Sequence, residues 1–308
     1  MLAVIAKRLV NHCVTILMKI ESGAGLMKRS NSISVRVVRK LGRVFSGIIK
    51  KIKASHKKTV LERLSKNEPI FILGVQKSGT TAVAALLSEA TRLPATLDII
   101  RSIKRPYSKI LRNYGIEDFG DYIYRYRREF SRKIIKEPSL TFDYQDLRAY
   151  FPKARFVIIF REPKDNIRSI LNRLKVPGDL KELNTKEWPE LNSSGAWRLN
   201  IDSSWLGHWP ESYVDSLAYR WQLSAQIYFK NIDDFVLLRY EDFCQDKTGK
   251  ITKLAEDLGL QVMTDFSDMV DSQFQPKGER VENYDVFYKE NMLYIYKHCS
   301  EYAKKLGY

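Results

Sequence analysis

The hydrophobic pattern of the chain changes character at Pro69. Immediately after it, Ile70-Phe71-Ile72-Leu73 is an unbroken apolar run. It is short enough for a strand and apolar on both faces, as strands of a parallel sheet are. The glycine-bounded segment Gly74 to Thr81 follows, and then Ala82 to Ala90, which reads as a helix. A second continuous run, Arg155 to Phe160, predicts another buried strand. Ile134-Ile135-Lys136 reads as a further strand end, because Pro138 cannot continue a ladder. Before Pro69 the period is helical. Ile5, Leu9, Cys13 and Leu17 share one face of a first amphipathic segment, with Arg8, Asn11, His12, Thr15 and Lys19 on the other. In a second segment Val37, Leu41, Val44, Ile48 and Ile52 line one side. Seven cations cover the other: Arg36, Arg39, Lys40, Arg43, Lys50, Lys51 and Lys53.

Charge sharpens this division into an arm, residues 1–65, and a main domain, residues 66–308. The 308-residue chain carries +16. Residues 1–65 hold 15 basic and two acidic residues, a net +13, and the remaining 37 basic and 34 acidic residues leave only +3. A basic amphipathic helix suits an anionic membrane surface, here through residues 1–58; packing on the main domain with a solvated basic face is the other reading. Nucleic acid is not expected as a partner, since Phe45 is the single aromatic among these bases. No stretch is long and apolar enough for a spanning helix, and no cleavable signal pattern opens the chain. The expected location is therefore cytoplasmic, peripheral on a membrane. Three widely spaced cysteines make no disulfide scaffold, and the four histidines share no metal-ligand spacing, so no protein-bound metal is expected.

The candidate chemistry lies in the glycine-bounded loop. A strand, a loop with a lysine and hydroxyls, and a helix form an anion site, because loop amides and the helix N-terminus face the ligand. Gly74 and Gly79 have the spacing of the ATP-binding pattern G-x-x-x-x-G-K-[ST], but Thr80 stands where its lysine belongs, and the lysine comes earlier, at Lys77. The Arg155–Phe160 strand ends in Arg161-Glu162-Pro163 rather than in a magnesium-holding aspartate. Both departures count against a small-molecule kinase. A non-catalytic nucleotide-binding protein at a membrane surface is the second alternative.

Lys77-Ser78-Gly79-Thr80-Thr81 resembles the 5′-phosphosulfate loop of sulfotransferases that use 3′-phosphoadenosine 5′-phosphosulfate (PAPS). Phe160 to Ser169 resembles their 3′-phosphate motif, with Arg161 closing a strand and Ser169 eight residues on. Leu237 to Phe243 is similar to their strand-end R-Y-E-D segment, and Cys299 to Tyr308 to their last helix. The resemblance covers Pro69 to Tyr308. It implies a P-loop-like α/β fold of three layers, with a central parallel sheet and the cofactor at the strands' carboxyl ends. It also implies sulfuryl transfer from PAPS, without a metal, to a hydroxyl (or amine) of a small-molecule, glycan or lipid-linked acceptor. Cofactor binding would fall to Gln76, Lys77, Ser78, Gly79, Thr80, Thr81, Arg161 and Ser169, with Lys277 and Arg280 as a faint third element. Lys77 and Lys136 would stabilise the transferring group. Asp98, His208 and Glu137 are the open choices for the general base. Trp188, Trp197, Trp205 and Trp209 either grip an acceptor or pack a small subdomain.

Overall fold

A computed structural model describes Val44 and residues 50–274 and 286–308. The chain divides into two units, residues 1–58 and 59–308. In the first, residues 50–58 are helical and largely exposed. Of the rest of the expected arm, residues 59–65 belong to the second unit, and residues 1–43 and 45–49 lie outside the described residues, as do Lys277 and Arg280. Among the described residues no helix is long and apolar enough to cross a membrane.

The second unit is built on five parallel strands in the order β2-β3-β1-β4-β5: β1 (Ile70–Leu73), β2 (Ala95–Thr96), β3 (Ile134–Lys136), β4 (Arg155–Phe160) and β5 (Phe235–Arg239). The apolar runs of β1, β3 and β4 become the three central strands, and both of their faces are covered. In β1, Ile70 and Ile72 join one core with α1 (Thr80–Thr91). Phe71 and Leu73 point the other way, toward α4 (Phe119–Arg125) and α5 (Tyr144–Tyr150), with α2 (Ile100–Ile103) and α3 (Tyr107–Asn113) preceding these in the chain. This two-residue alternation is the pleat, and layers on both faces explain why no polar residue interrupts the run. Ile158 and Phe160 of β4 belong to a third cluster with α6 (Pro163–Leu174), α9 (Tyr213–Lys230) and α12 (Lys289–Lys305). Between α6 and α9 stand two short helices, α7 (Pro189–Ser193) and α8 (Gly195–Ile201). After β5 come α10 (Tyr240–Gln245) and α11 (Lys247–Asp257). The R-Y-E-D segment is thus split: Arg239 ends the strand, and Tyr240-Glu241-Asp242 opens a helix.

Because every strand runs the same way, the loops after β1, β3, β4 and β5 meet along one edge. Trp221 pins that edge from beneath. It is fully buried, stands edge-on to Phe160 with ring centroids 5.6 Å apart, and donates its indole N–H to the Arg161 carbonyl at 3.0 Å. Trp221→Ala should lower the unfolding free energy by about 3–5 kcal/mol. Trp221→Phe, which removes the N–H together with part of the ring volume, should cost less, about 1–3 kcal/mol. Denaturant titration separates the two, and a Phe variant as stable as the wild type contradicts the anchoring role.

Candidate functional site

The loop after β1 takes its shape from three left-handed residues, Gly74, Lys77 and Gly79, at φ 137°, 67° and 89°. Gly74 lies so close to β4 that an added Cβ would meet the Ile159 carbonyl at 2.6 Å, which only glycine avoids. Neighbouring chain segments clamp the loop. Thr141 Oγ1 accepts from the Gly74 amide at 2.9 Å and donates to its carbonyl at 3.1 Å. The Asn166 amide reaches over from α6 to the Gln76 carbonyl at 2.9 Å and to Ser78 Oγ at 3.0 Å. Helix α1 then starts from Gly79 with no side chain capping it. Its first amides stay available to an anion.

Two cavities open from this loop. The larger, about 590 Å³, is lined by Gly79, Thr80, Thr81, Arg161, Ser169 and Asn172, among others. Glu162 caps α6, accepting from the Asp165 amide at 2.6 Å, with Pro163 in the first turn. That geometry places Arg161 at the end of β4 and Ser169 two turns along the helix, both on the same cavity wall, as the eight-residue spacing requires. Arg161 lies 4.6 Å from the Tyr240 ring centroid and donates to the Lys77 carbonyl at 3.4 Å. The buried amide oxygen of Asn172 has no partner among the described residues.

The smaller cavity, about 280 Å³, is lined by Gln76, Asp98, Lys109, Lys136, Glu137, Trp197 and Asn200, with others. Lys77 and Thr80 line both cavities. Lys136 is buried at the end of β3, and its ammonium is 2.8 Å from Asp98 Oδ1. Burial raises the Asp98 carboxyl above the ordinary aspartate value although Lys136 pulls it down. Lys77 is held below the ordinary lysine value by burial and then by the charges of Arg161, Arg173 and Lys136. A site that already disfavours one more cation favours an anion in its place.

Several expected residues lie elsewhere. Ser78 is fully buried and lines neither cavity, because the left-handed turn at Lys77 sends its hydroxyl inward to Asn166. Gln76 lines the smaller cavity rather than the larger and accepts from Arg220 at 3.1 Å. Both oxygens of Glu137 are taken, Oε1 by the Ser139 amide and hydroxyl and Oε2 by the Ile99 amide, which leaves it a scaffold of the following turn. His208 lines neither cavity. Its Nε2 is 3.1 Å from Asp215 Oδ2, while His298 Nε2 is 2.6 Å from Asp215 Oδ1. Sequence spacing did not reveal this group, whose three ligand atoms lie within 4.8 Å of one another. Of the four tryptophans, Trp197 alone reaches the smaller cavity; Trp205 is buried, Trp188 is partly buried and Trp209 is exposed.

Asn166, Thr141 and Arg220 carried no sequence signal strong enough to single them out. Arg220 is 3% exposed and donates to neutral oxygens of Gln76, Asn200 and Leu199; burial pulls it down to about 9. A basic residue inside the apolar pattern of α9 was the one hint of it.

Gly79→Ala should disturb this site more than its one carbon suggests. The added Cβ would lie 2.5 Å from Tyr240 Cδ2 at a backbone angle alanine avoids. Displacing Tyr240 frees Arg161 from its ring. The affinity for 3′,5′-adenosine bisphosphate that the motif resemblance implies should fall at least about tenfold with secondary structure intact, the scale of one lost charge-assisted contact; calorimetry with circular dichroism checks both.

No curated protein matches the chain. Among solved structures, a sulfotransferase from Alicyclobacillus acidocaldarius is similar at 15% identity and TM-score 0.41, over 75% of this chain and 95% of that one. A sulfotransferase from Mycobacterium avium is similar at 14% identity and TM-score 0.45, over 78% of this chain and 76% of the other. A mouse sulfotransferase complexed with PAP is similar at 15% identity and TM-score 0.43, over 80% and 92% respectively. The sulfotransferase domain model matches residues 67–300, most of the chain and every strand described above. That match removes the kinase alternative, and the chain belongs to the sulfotransferase family of enzymes.

Proposed function

We propose that this enzyme moves the sulfuryl group of PAPS to a hydroxyl seated in the smaller cavity. The observation that carries the reading is that the two cavities share Lys77 and Thr80. A donor in the larger cavity and an acceptor in the smaller one meet at that lysine. The residues present fit the donor: an uncapped helix N-terminus for the 5′-phosphosulfate, Arg161 and Ser169 on one wall for the 3′-phosphate, and the unpartnered Asn172 oxygen for a nucleoside donor group. Membership in the sulfotransferase family supports this choice.

The step balances without a metal. The acceptor oxygen forms a bond to sulfur, the bond from sulfur to the bridging phosphate oxygen breaks, and the hydroxyl proton leaves to a base. Lys77 stabilises the charge growing on the bridging oxygen, an interaction stronger in the transition state than in the ground state. Asp98 takes the proton. Its partner Lys136 orients the carboxylate and adds positive charge beside the sulfuryl oxygens. The acceptor is a small molecule, glycan or lipid-linked hydroxyl, and the basic arm, if it docks on anionic lipid, would hold the domain near a membrane.

Transfer of label from sulfur-labelled PAPS to carbohydrate, lipid and phenolic acceptor fractions tests the reading; label that stays on the nucleotide or appears only as free sulfate contradicts it. Lys77→Ala should lower turnover by about 10²–10³-fold, the scale of one lost oxyanion-type donor. Asp98→Asn should lower it by about 10²–10⁴-fold. A base works only when ionised, so the wild-type rate should fall as pH drops through a point above the ordinary aspartate value, because burial raises Asp98. The Asn variant should lose that acid limb.

A further inference from the structure

We propose that the acceptor is an acidic sugar, its carboxylate held by Lys109 at the inner wall of the smaller cavity. This rests on the sulfuryl-transfer reading of that cavity and names the class of molecule that fills it.

Lys109 belongs to α3, outside the two phosphate motifs of the sequence. It is 7% exposed and lines the cavity beside Asp98, Lys136 and Trp197. Of the other cations lining that cavity, Lys77 is assigned above to the donor and the remaining two are matched. Lys136 is paired with Asp98 at 2.8 Å, and Arg173 with Glu190 at 3.2 Å. Behind the wall Arg112 is paired with Asp143 at 2.7 Å. Among the described residues the Lys109 ammonium has neither a hydrogen bond nor an ion pair. The largest negative field on it is that of Glu137, whose oxygens already accept from Ser139 and Ile99. A buried ammonium with no partner is costly, and chains keep such groups where a ligand completes them.

The wall selects the ligand's chemistry. Arg173, the arginine lining this cavity, is already paired with Glu190, and the N-terminus of α1 at Thr80 is assigned above to the donor, so the one ammonium left over matches a singly charged carboxylate better than a phosphate dianion. Trp197 offers an aromatic surface, and Asn200 and Ser194 line the same space, as a hydroxylated ring needs. Asn200 is held in place by Arg220 at 2.7 Å, so its amide is fixed before any ligand arrives. A cavity of about 280 Å³ takes a ring of this size. Burial also brings Lys109 down to about 8, against the raising fields of Glu137 and Asp143 and with the lowering fields of Arg220 and Arg112. The cation is present at neutral pH and is lost above about pH 8.

The test uses the full chain saturated with 3′,5′-adenosine bisphosphate, with methyl β-D-glucuronide and its neutral counterpart methyl β-D-glucoside as probes in ligand-observed NMR titrations. The glucuronide should bind about tenfold more tightly, the scale of one charge-assisted contact. The preference should fade as pH rises through about 8 and vanish in Lys109→Met, which keeps the side chain's length without its charge. Equal affinities, no measurable glucuronide binding at millimolar concentration, or a preference that survives in Lys109→Met overturns the proposal. Glucose 6-phosphate forms a second arm, and a preference for it over the glucuronide overturns the assignment to a carboxylate. Failure of the bisphosphate to bind is read out first and separately; it removes the sulfuryl-transfer reading itself. The wild-type comparison stands even if the variant does not fold.

Discussion

An α-helix leaves its first amides without partners, and in α1 no side chain takes them up. The rest of the site follows from holding those amides open at the edge of a parallel sheet. Gly74 passes β4 too closely for any side chain, Lys77 turns left-handed, and Gly79 lies under Tyr240. Thr141 and Asn166 close the loop from both sides. Strain of this kind persists only where surrounding contacts over-determine it. Here they come from the turn after β3 and from α6, so the fold must be complete before the anion site exists.

Charge is the second constraint. Lys77, Lys109, Lys136, Arg161 and Arg173 all line the two cavities, against Asp98 and Glu137 in the smaller and Asp271 at the rim of the larger. In the free protein the excess is tolerated because some pairs are internal, as with Lys136 and Asp98, and because Arg161 leans on an aromatic ring. Ligands carrying negative charge relieve the remainder. The two cavities differ in how they receive such ligands. The larger is the one proposed to take phosphates, while the smaller keeps one buried ammonium, that of Lys109, without a partner among the described residues.

Much of the frame was legible in the chain. The central strands announce themselves because burial on both faces excludes polar residues from Ile70–Leu73 and from most of Arg155–Phe160. That Lys77, Arg161 and Ser169 share one cavity follows from local spacing: a loop between strand and helix, then two turns of helix. Pairings in which distant chain meets distant chain were not legible. Asp98 and Lys136 are 38 positions apart and Arg220 and Gln76 are 144 apart, and nothing in either neighbourhood signals the partner. His208 was a candidate as the histidine in the middle of the domain, and the fold sends its ring to Asp215 rather than to either cavity. Ser78 belongs to a motif yet faces inward, because a single positive φ redirects it.

In the proposed reading Arg161 and Ser169 hold a phosphate in the larger cavity while Lys77 lines both cavities. Metal-free calorimetry of 3′,5′-adenosine bisphosphate on the wild type, Arg161→Ala and Ser169→Ala tests it most directly. The account predicts tight binding without magnesium, weakened about 10- to 100-fold in the Arg161 variant and less in the Ser169 variant, as expected for a charged and a neutral contact. Absence of binding without magnesium, or equal affinity in all three proteins, would contradict it.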